Sequence, residues 1–245
     1  MHTRHMPTVN ARYWLAITLA SLFGTNMGDL YAHNSGLGLL GGLPILVALA
    51  AVVWLVERRD TAPREVYYWL LIIIIRTGAT NIADYFKHHI PALVFGILLT
   101  VLLAGFGWAS TRDTGLKERV VEQTKGMPQA GGSYWSAMLT AGVFGTFVGD
   151  VASQFVGQGP ASIGLGILLA LAIAAWWQVR GRLVWFYWVP VAVVRTAGTA
   201  MGDFLAENPR LDIGLLVSTA ITGACFVAVL VAWPRLRAGR AMSAV

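Results

Sequence analysis

The sequence predicts an all-α, polytopic membrane protein with eight transmembrane helices, arranged as four parallel helical-hairpin repeats in two duplicated halves. Three observations predict this fold class. Hydrophobic residues make up 56% of the 245 residues and charged residues only 12%, whereas charged residues form about a quarter of an ordinary soluble domain. Eight segments approach the roughly 20 apolar residues that cross a bilayer as a helix. One motif recurs four times, at matching places in these segments.

The eight predicted spans alternate between two kinds. They cover residues 13–32, 39–56, 66–86, 91–110, 134–156, 161–178, 185–206 and 212–233. Helices are expected because a bilayer core offers no water to backbone groups, and because the alternating pattern of barrel strands is absent. The first, third, fifth and seventh spans carry the motif. Each following span is an apolar return helix without the motif. Because every repeat has two spans, all four repeats enter the membrane in the same direction.

The motif starts with Tyr-Trp and ends with an Asp fifteen residues after the Trp. Its copies run from Tyr13 to Asp29, from Tyr68 to Asp84, from Tyr134 to Asp150 and from Tyr187 to Asp203. We interpret the Tyr-Trp pairs as anchors at the membrane interface. The small residues before each Asp are expected to let helices approach and to hydrogen-bond between helices. These packing positions are Gly24, Thr25, Gly28, Thr80, Gly145, Thr146, Gly149, Gly198, Thr199 and Gly202.

Similarities among the copies predict a duplicated pair of four-helix halves. Copies one and three match best, while copies two and four share an Arg-Thr dipeptide that begins at Arg76 and at Arg195. The predicted halves are residues 1–110 and 134–236. A cytosolic connector at 111–133 joins them, and a cytosolic tail at 237–245 follows. Within the connector, residues 117–125 form either a short surface helix or part of a solvated linker.

The distribution of basic residues predicts the orientation in the membrane. Only Lys87 and Arg210 lie on one side of the predicted spans, and fourteen of the 18 Lys and Arg residues lie on the other. The positive-inside rule therefore predicts cytoplasmic termini, and it accounts for the net charge of +6 without a nucleic-acid partner. We expect no cleavable signal at the start of the chain. The single cysteine, Cys225, excludes an intramolecular disulfide.

A second polar residue follows each motif Asp by four positions and therefore lies on the same helix face. Carboxylates inside a bilayer are costly, so their fourfold repetition indicates a function. Carboxylate, imidazole and amide ligands suit Mn, Zn, Co or Ni, and the imidazoles predict binding that weakens as pH falls. The expected partners are the lipid bilayer and a small cation, carried as substrate. The predicted metal ligands are Asp29, Asp84, Asp150, Asp203, His33, His88, Gln154 and Glu207.

Two arginines are predicted to be electrostatic partners of these carboxylates. Arg76 and Arg195 each precede their motif Asp by eight residues, which places them about 12 Å nearer the cytoplasm along the helix. An Arg at this depth is expected to face the protein interior. We expect each one to pair with a carboxylate of a neighbouring helix, as a structural ion pair or as an electrostatic gate.

The repeats resemble those of bacterial multi-spanning membrane proteins built from the repeat called domain of unknown function 347. The resemblance rests on Tyr-Trp followed by Gly-Thr-x-x-Gly-Asp, and it covers the chain from Tyr13 to about Trp233 except the connector. Copy two departs from the pattern, with Ala79 and Ala83 in place of Gly. The resemblance implies a multi-pass fold in the bacterial cytoplasmic membrane, and it implies no activity.

Three hypotheses for function follow from these residues. The first is a transporter, exporter or channel for a small cation, with a divalent metal as the expected cargo and protons as a possible coupling ion. The second is a non-catalytic scaffold or sensor, in which the motif Asp residues are structural and the residues four positions later are merely solvated. The third, an intramembrane aspartyl protease, requires Gly three residues before the Asp. That position holds Asn26, Asn81, Phe147 or Ala200, so we expect no enzyme.

Overall fold

The computed structural model describes residues 6–62, 64–112, 128, 130–180, 183–209 and 211–242, and within them it is helical with no strand. The all-α prediction is therefore confirmed for the described residues. The connector helix predicted at 117–125 lies outside them. The helices are α1 (Ala11–Asn34), α2 (Gly38–Gly41), α3 (Leu43–Arg59), α4 (Val66–Phe86), α5 (Ala92–Arg112), α6 (Gly132–Val156), α7 (Gln158–Val179), a 3-10 turn (Val184–Tyr187), α8 (Trp188–Glu207) and α9 (Leu215–Met242).

Local sequence signals set the ends of several helices. The Asn10 side chain accepts a hydrogen bond from the Tyr13 backbone N–H and so caps the start of α1. Pro44 lies in the first turn of α3, where its missing N–H costs nothing. Gly157 joins α6 directly to α7 with φ +88, a conformation that favours glycine.

The four motif helices α1, α4, α6 and α8 form a closed inner ring. Each packs against two others, in the cyclic order α1, α4, α6, α8 and back to α1. They all run in one direction, because the motif tyrosines meet at one end of the ring and the motif Asp residues line one cavity at the other. The parallel arrangement predicted for the motif helices is what these residues show.

The return helices pack outside the ring, and chiefly not against their own motif helix. Helix α3 lies on α4, α5 on α6, α7 on α8, and α9 returns to α1. The predicted hairpin arrangement is therefore not confirmed. The two halves share one hydrophobic core, since the seams α4/α6 and α8/α1 between the halves belong to the same ring as the seams within them.

The outer helices present apolar side chains to the surroundings, as expected for a membrane protein. Val47 of α3, Leu93 of α5 and Leu216 of α9 are 67%, 76% and 66% exposed. Six helical segments of the described chain are long and apolar enough to cross a membrane: Gly38–Arg59, Val66–Phe86, Ala92–Arg112, Gly132–Val156, Gln158–Val179 and Leu215–Trp233. The predicted total of eight spans is not confirmed, because α1 and α8 carry many polar residues toward the ring interior.

Glycines allow the close approach of the inner helices. A Cβ added at any of the six predicted packing glycines would lie less than 3.0 Å from an atom of a neighbouring helix. Copy two has Ala79 in place of Gly, and the neighbouring helix α6 has a glycine opposite it. This residue is Gly142, whose added Cβ would lie 2.6 Å from the Ala79 Cβ. At the duplicate seam the small residue lies on the other side, because Gly198 faces Ser21. Each seam between the halves thus retains at least one glycine.

Candidate functional site

Four buried tyrosines close one end of the ring. The hydroxyl of Tyr13 lies 2.9 Å from that of Tyr68, which lies 2.7 Å from Tyr134, which lies 3.0 Å from Tyr187, and Tyr187 bonds Tyr13 in turn. None of these side chains is more than 1% exposed. We call this hydrogen-bonded group the Tyr tetrad. Its closed cycle satisfies four buried hydroxyls.

The prediction that the Tyr-Trp pairs are interfacial anchors is therefore wrong. The partner tryptophans are also buried, from 2% exposure at Trp14 and Trp69 to 8% at Trp135, and their rings pack edge-on or tilted against the tetrad. An amphipathic Tyr hydroxyl needs a polar partner, which headgroups supply at an interface. Here the tyrosine hydroxyls of the two adjacent motif copies supply it.

The cycle predicts an order of stability among Tyr→Phe double variants. Tyr13→Phe removes two of the four hydrogen bonds. Adding Tyr134→Phe, across the ring, removes the other two, whereas adding the adjacent Tyr68→Phe removes only one more. With about 1 kcal/mol per bond, the opposite pair should be the less stable double variant. Thermal unfolding in detergent checks this order, and equal stabilities would contradict a closed cycle.

Arg76 occupies the centre of the ring, between the level of the Tyr tetrad and the level of the motif Asp residues. Its Nη1 donates to the hydroxyls of Thr80 and Thr146 at 3.1 and 2.8 Å, and its Nη2 donates to those of Thr25 and Thr199. One guanidinium thus binds the equivalent hydroxyl of all four motif copies. Because Arg76 is 0% exposed, it closes the lumen of the ring at this layer.

Arg195 is equally buried but has different contacts. Its Nη2 donates to the sulfur of Met138 at 3.0 Å, and its Nε and Nη1 have no hydrogen-bond partner among the described residues. Neither Arg195 nor Arg76 forms an ion pair in the described part of the chain. The predicted direct pairing with a carboxylate is not seen for either arginine, because the motif Asp residues lie beyond the threonine layer and hydroxyls are nearer to Arg76. Arg76 still attracts the carboxylates of Asp29, Asp150 and Asp203 electrostatically.

The eight predicted ligands line one cavity of about 600 Å³ at the end of the ring opposite the Tyr tetrad. We call it the Asp cavity. Exposure rises outward in every copy: the motif Thr is buried, the Asp is half-buried, and the residue four positions later is exposed. The cavity therefore opens at its outer rim and ends at the Arg76 layer. Its polar lining includes Thr25, Thr80, Thr146, Thr199, Asp29, Asp84, Asp150, Asp203, His33, His88, Gln154, Glu207 and Lys87.

Lys87 is a member of the site that the sequence analysis missed. Its Nζ lies 2.7 Å from Asp84 Oδ1 and 2.7 Å from Asp150 Oδ2, so that one ammonium joins two inner helices. From the sequence, Lys87 was interpreted only as a charge outside the membrane. Its position three residues after Asp84, on the same helix face, was the available signal.

The Asp cavity contains no ready-made metal centre. Within the described residues, no three His, Cys, Asp or Glu side chains lie close enough together to hold one metal ion. His33 directs its Nδ1 to the backbone oxygen of Asp29 at 2.7 Å, which leaves Nε2 for a ligand. Metal binding by the eight residues stays a prediction.

Comparisons with known proteins give a family match for two of the four motif copies. No curated protein and no solved structure matches the chain. One family model matches residues 12–60, which hold nearly all of α1 together with α2 and α3, and residues 186–238, which hold α8 and most of α9. The first and the fourth copy of the motif thus each lie in a segment that matches the Repeat of Unknown Function (DUF347).

Proposed function

We propose that the protein is a membrane transporter or exporter of a small cation, and that the Asp cavity is its binding chamber. The observation that carries the proposal is the convergence of one Asp from each inner helix on a single cavity. With Glu207, five carboxylates line it against one ammonium, that of Lys87. In a low-dielectric surrounding, such an excess of negative charge favours a cation or bound protons.

The closed end of the cavity supports a gated pathway. In our proposal the Arg76 guanidinium repels cations from the lumen while it is held by the four threonines, and the Tyr tetrad forms a second closure beyond it. Passage then requires Arg76 to exchange these hydroxyls for other partners. The basic residues of the predicted loops favour cytoplasmic termini, so the Asp cavity would open to the opposite side.

The cargo most consistent with the lining is a partly hydrated divalent metal. A volume of about 600 Å³ holds on the order of twenty water molecules, so an ion does not need to lose its whole hydration shell on entry. The imidazoles of His33 and His88 favour Mn, Co, Ni or Zn over Mg. Both belong to the first half, whereas the second half offers Gln154 and Glu207 at these positions.

Transport by vesicles tests the proposal. Reconstituted protein should take up at least one of Mn²⁺, Co²⁺, Ni²⁺ and Zn²⁺ faster than empty vesicles do. The Asp84→Asn, Asp203→Asn double variant should lose uptake by about tenfold or more, because it removes two of the cavity charges. Asp212→Asn is the matched control: Asp212 is exposed, lies outside the cavity, and has a positive φ of 48 that Asn tolerates.

Two results would count against the proposal. Uptake no faster than that of empty vesicles across the panel would favour the non-transporting scaffold. Equal uptake by the double variant and the Asp212→Asn control would remove the Asp cavity from the pathway.

A further inference from the structure

Lys87 breaks the internal symmetry of the Asp cavity. The duplication relates copy two to copy four and copy three to copy one. It therefore relates the seam between Asp84 and Asp150 to the seam between Asp203 and Asp29. The residue equivalent to Lys87 in copy four is Ala206. One seam thus has an ammonium where the other has a methyl group.

The two seams place their helix backbones in a similar way around this residue. Both join the halves of the chain, one through α4 and α6 and the other through α8 and α1. Both bring the helix backbones together over a matched pair of small residues, Ala79 with Gly142 and Gly198 with Ser21. The carboxylate pairs therefore start from equivalent backbone positions at the same level of the ring.

The first seam shows how such a pair holds a cation. Lys87 Nζ makes two contacts of 2.7 Å, and the side chains of Asp84 and Asp150 are only 18% and 16% exposed. At this distance and burial the ammonium neutralises the repulsion between the two carboxylates. The ammonium is covalently fixed at this place, because Lys87 directly follows α4, the helix that carries Asp84.

The second seam has the carboxylates without the ammonium. Asp29 and Asp203 are half-buried and line the same cavity, and neither forms an ion pair within the described residues. Ala206 offers no donor. The nearby Glu207, whose carboxylate accepts a hydrogen bond from Gln158 at 3.1 Å, adds a further negative charge to this side of the cavity.

We propose that the cation binds at the Asp29–Asp203 seam, and that Lys87 occupies the duplicate seam as a built-in competitor. This inference rests on the proposed function, because it assigns the cation of that function to one side of the Asp cavity. Lys87 limits the cavity to one bound ion. It also places a fixed positive charge opposite the bound ion, which favours release.

Exchange of the two residues tests this assignment. Ala206→Lys should place an ammonium on Asp203 and Asp29 and weaken cation binding by about tenfold or more. Ala206→Met, which adds similar bulk without charge, should bind like the wild type. Lys87→Ala makes the seams alike and should raise the number of bound ions from one to two. Calorimetry with Mn²⁺ or Zn²⁺, on the full chain in lipid nanodiscs, measures affinity and number together.

The outcomes separate this inference from the proposed function. Wild-type binding with an unchanged affinity in Ala206→Lys would overturn the assignment and leave the proposed function standing. Weakened binding in Lys87→Ala, together with a lower unfolding temperature, would make Lys87 a structural brace and overturn its role as competitor. No binding by the wild type would overturn both. If Ala206→Lys fails to fold, the number of ions bound by Lys87→Ala decides.

Discussion

Gly145→Ala should destabilise the protein by about 3 kcal/mol or more, near the upper end for overpacking in a core. A Cβ at this position would lie 2.5 Å from the Arg195 backbone carbon and 2.8 Å from the Thr196 nitrogen. Backbone atoms cannot rotate away, so α6 and α8 would have to separate at the ring seam. Thermal unfolding in detergent or nanodiscs, followed by tryptophan fluorescence, measures the loss.

Gly164→Ala on the outer helix α7 is the matched control. Nothing lies within 4 Å of a Cβ at Gly164, and Ala stabilises a helix interior by about 1 kcal/mol relative to Gly. This variant should be as stable as the wild type or slightly more stable. Similar losses of stability in both variants would show that α6 and α8 do not approach each other this closely.

Arg76→Met should destabilise the protein by about 2–4 kcal/mol more than Arg195→Met does. The first replacement removes hydrogen bonds that tie one guanidinium to all four inner helices. The second removes a buried charge whose Nε and Nη1 lack acceptors among the described residues, so the energetic cost of burying that charge disappears with it. The two arginines occupy equivalent places in the duplication but contribute unequally.

The same pair of variants has a functional readout. Arg76→Met removes one of the two proposed closures and leaves only the Tyr tetrad, so vesicles with this variant should leak cations faster than vesicles with Arg195→Met. Arg195→Met leaves the Arg76 layer in place and should stay tight. Equal unfolding temperatures together with equal leak rates would contradict the inequivalence of the two arginines.

The constant spacing of the motif made much of the fold predictable. The interval of fifteen residues from each Trp to its Asp fixes the depth of the carboxylates along the helix, and the step of four residues to His33, His88, Gln154 or Glu207 fixes the face. Convergence on one cavity follows once the four helices run in parallel. Glycines such as Gly28 and Gly149 indicated close contact, and they lie at helix seams.

What the spacing left undetermined is which helix adjoins which. A return helix on its own repeat and a return helix on the next repeat have the same hydropathy profile, so the hairpin arrangement was a choice that periodicity cannot test. Tyr13 gives the same signal as an interfacial anchor and as a member of a buried tetrad. Arg76 required a polar partner, but only the ring geometry shows that threonine hydroxyls reach it before any carboxylate.

The packing of α9 against α1 has a consequence for the chain during its synthesis. The Asn26 amide of α1 is fully buried and donates to the Ser218 hydroxyl at 2.7 Å, a partner 192 residues later in the chain. Because α9 is synthesised after α1, the Asn26 amide N–H has no Ser218 hydroxyl to bind until α9 has been made. In hydrocarbon an amide without a partner costs several kcal/mol. A chain that lacks α9 thus carries an unbonded amide donor on α1, and the packing of α9 against α1 supplies its acceptor.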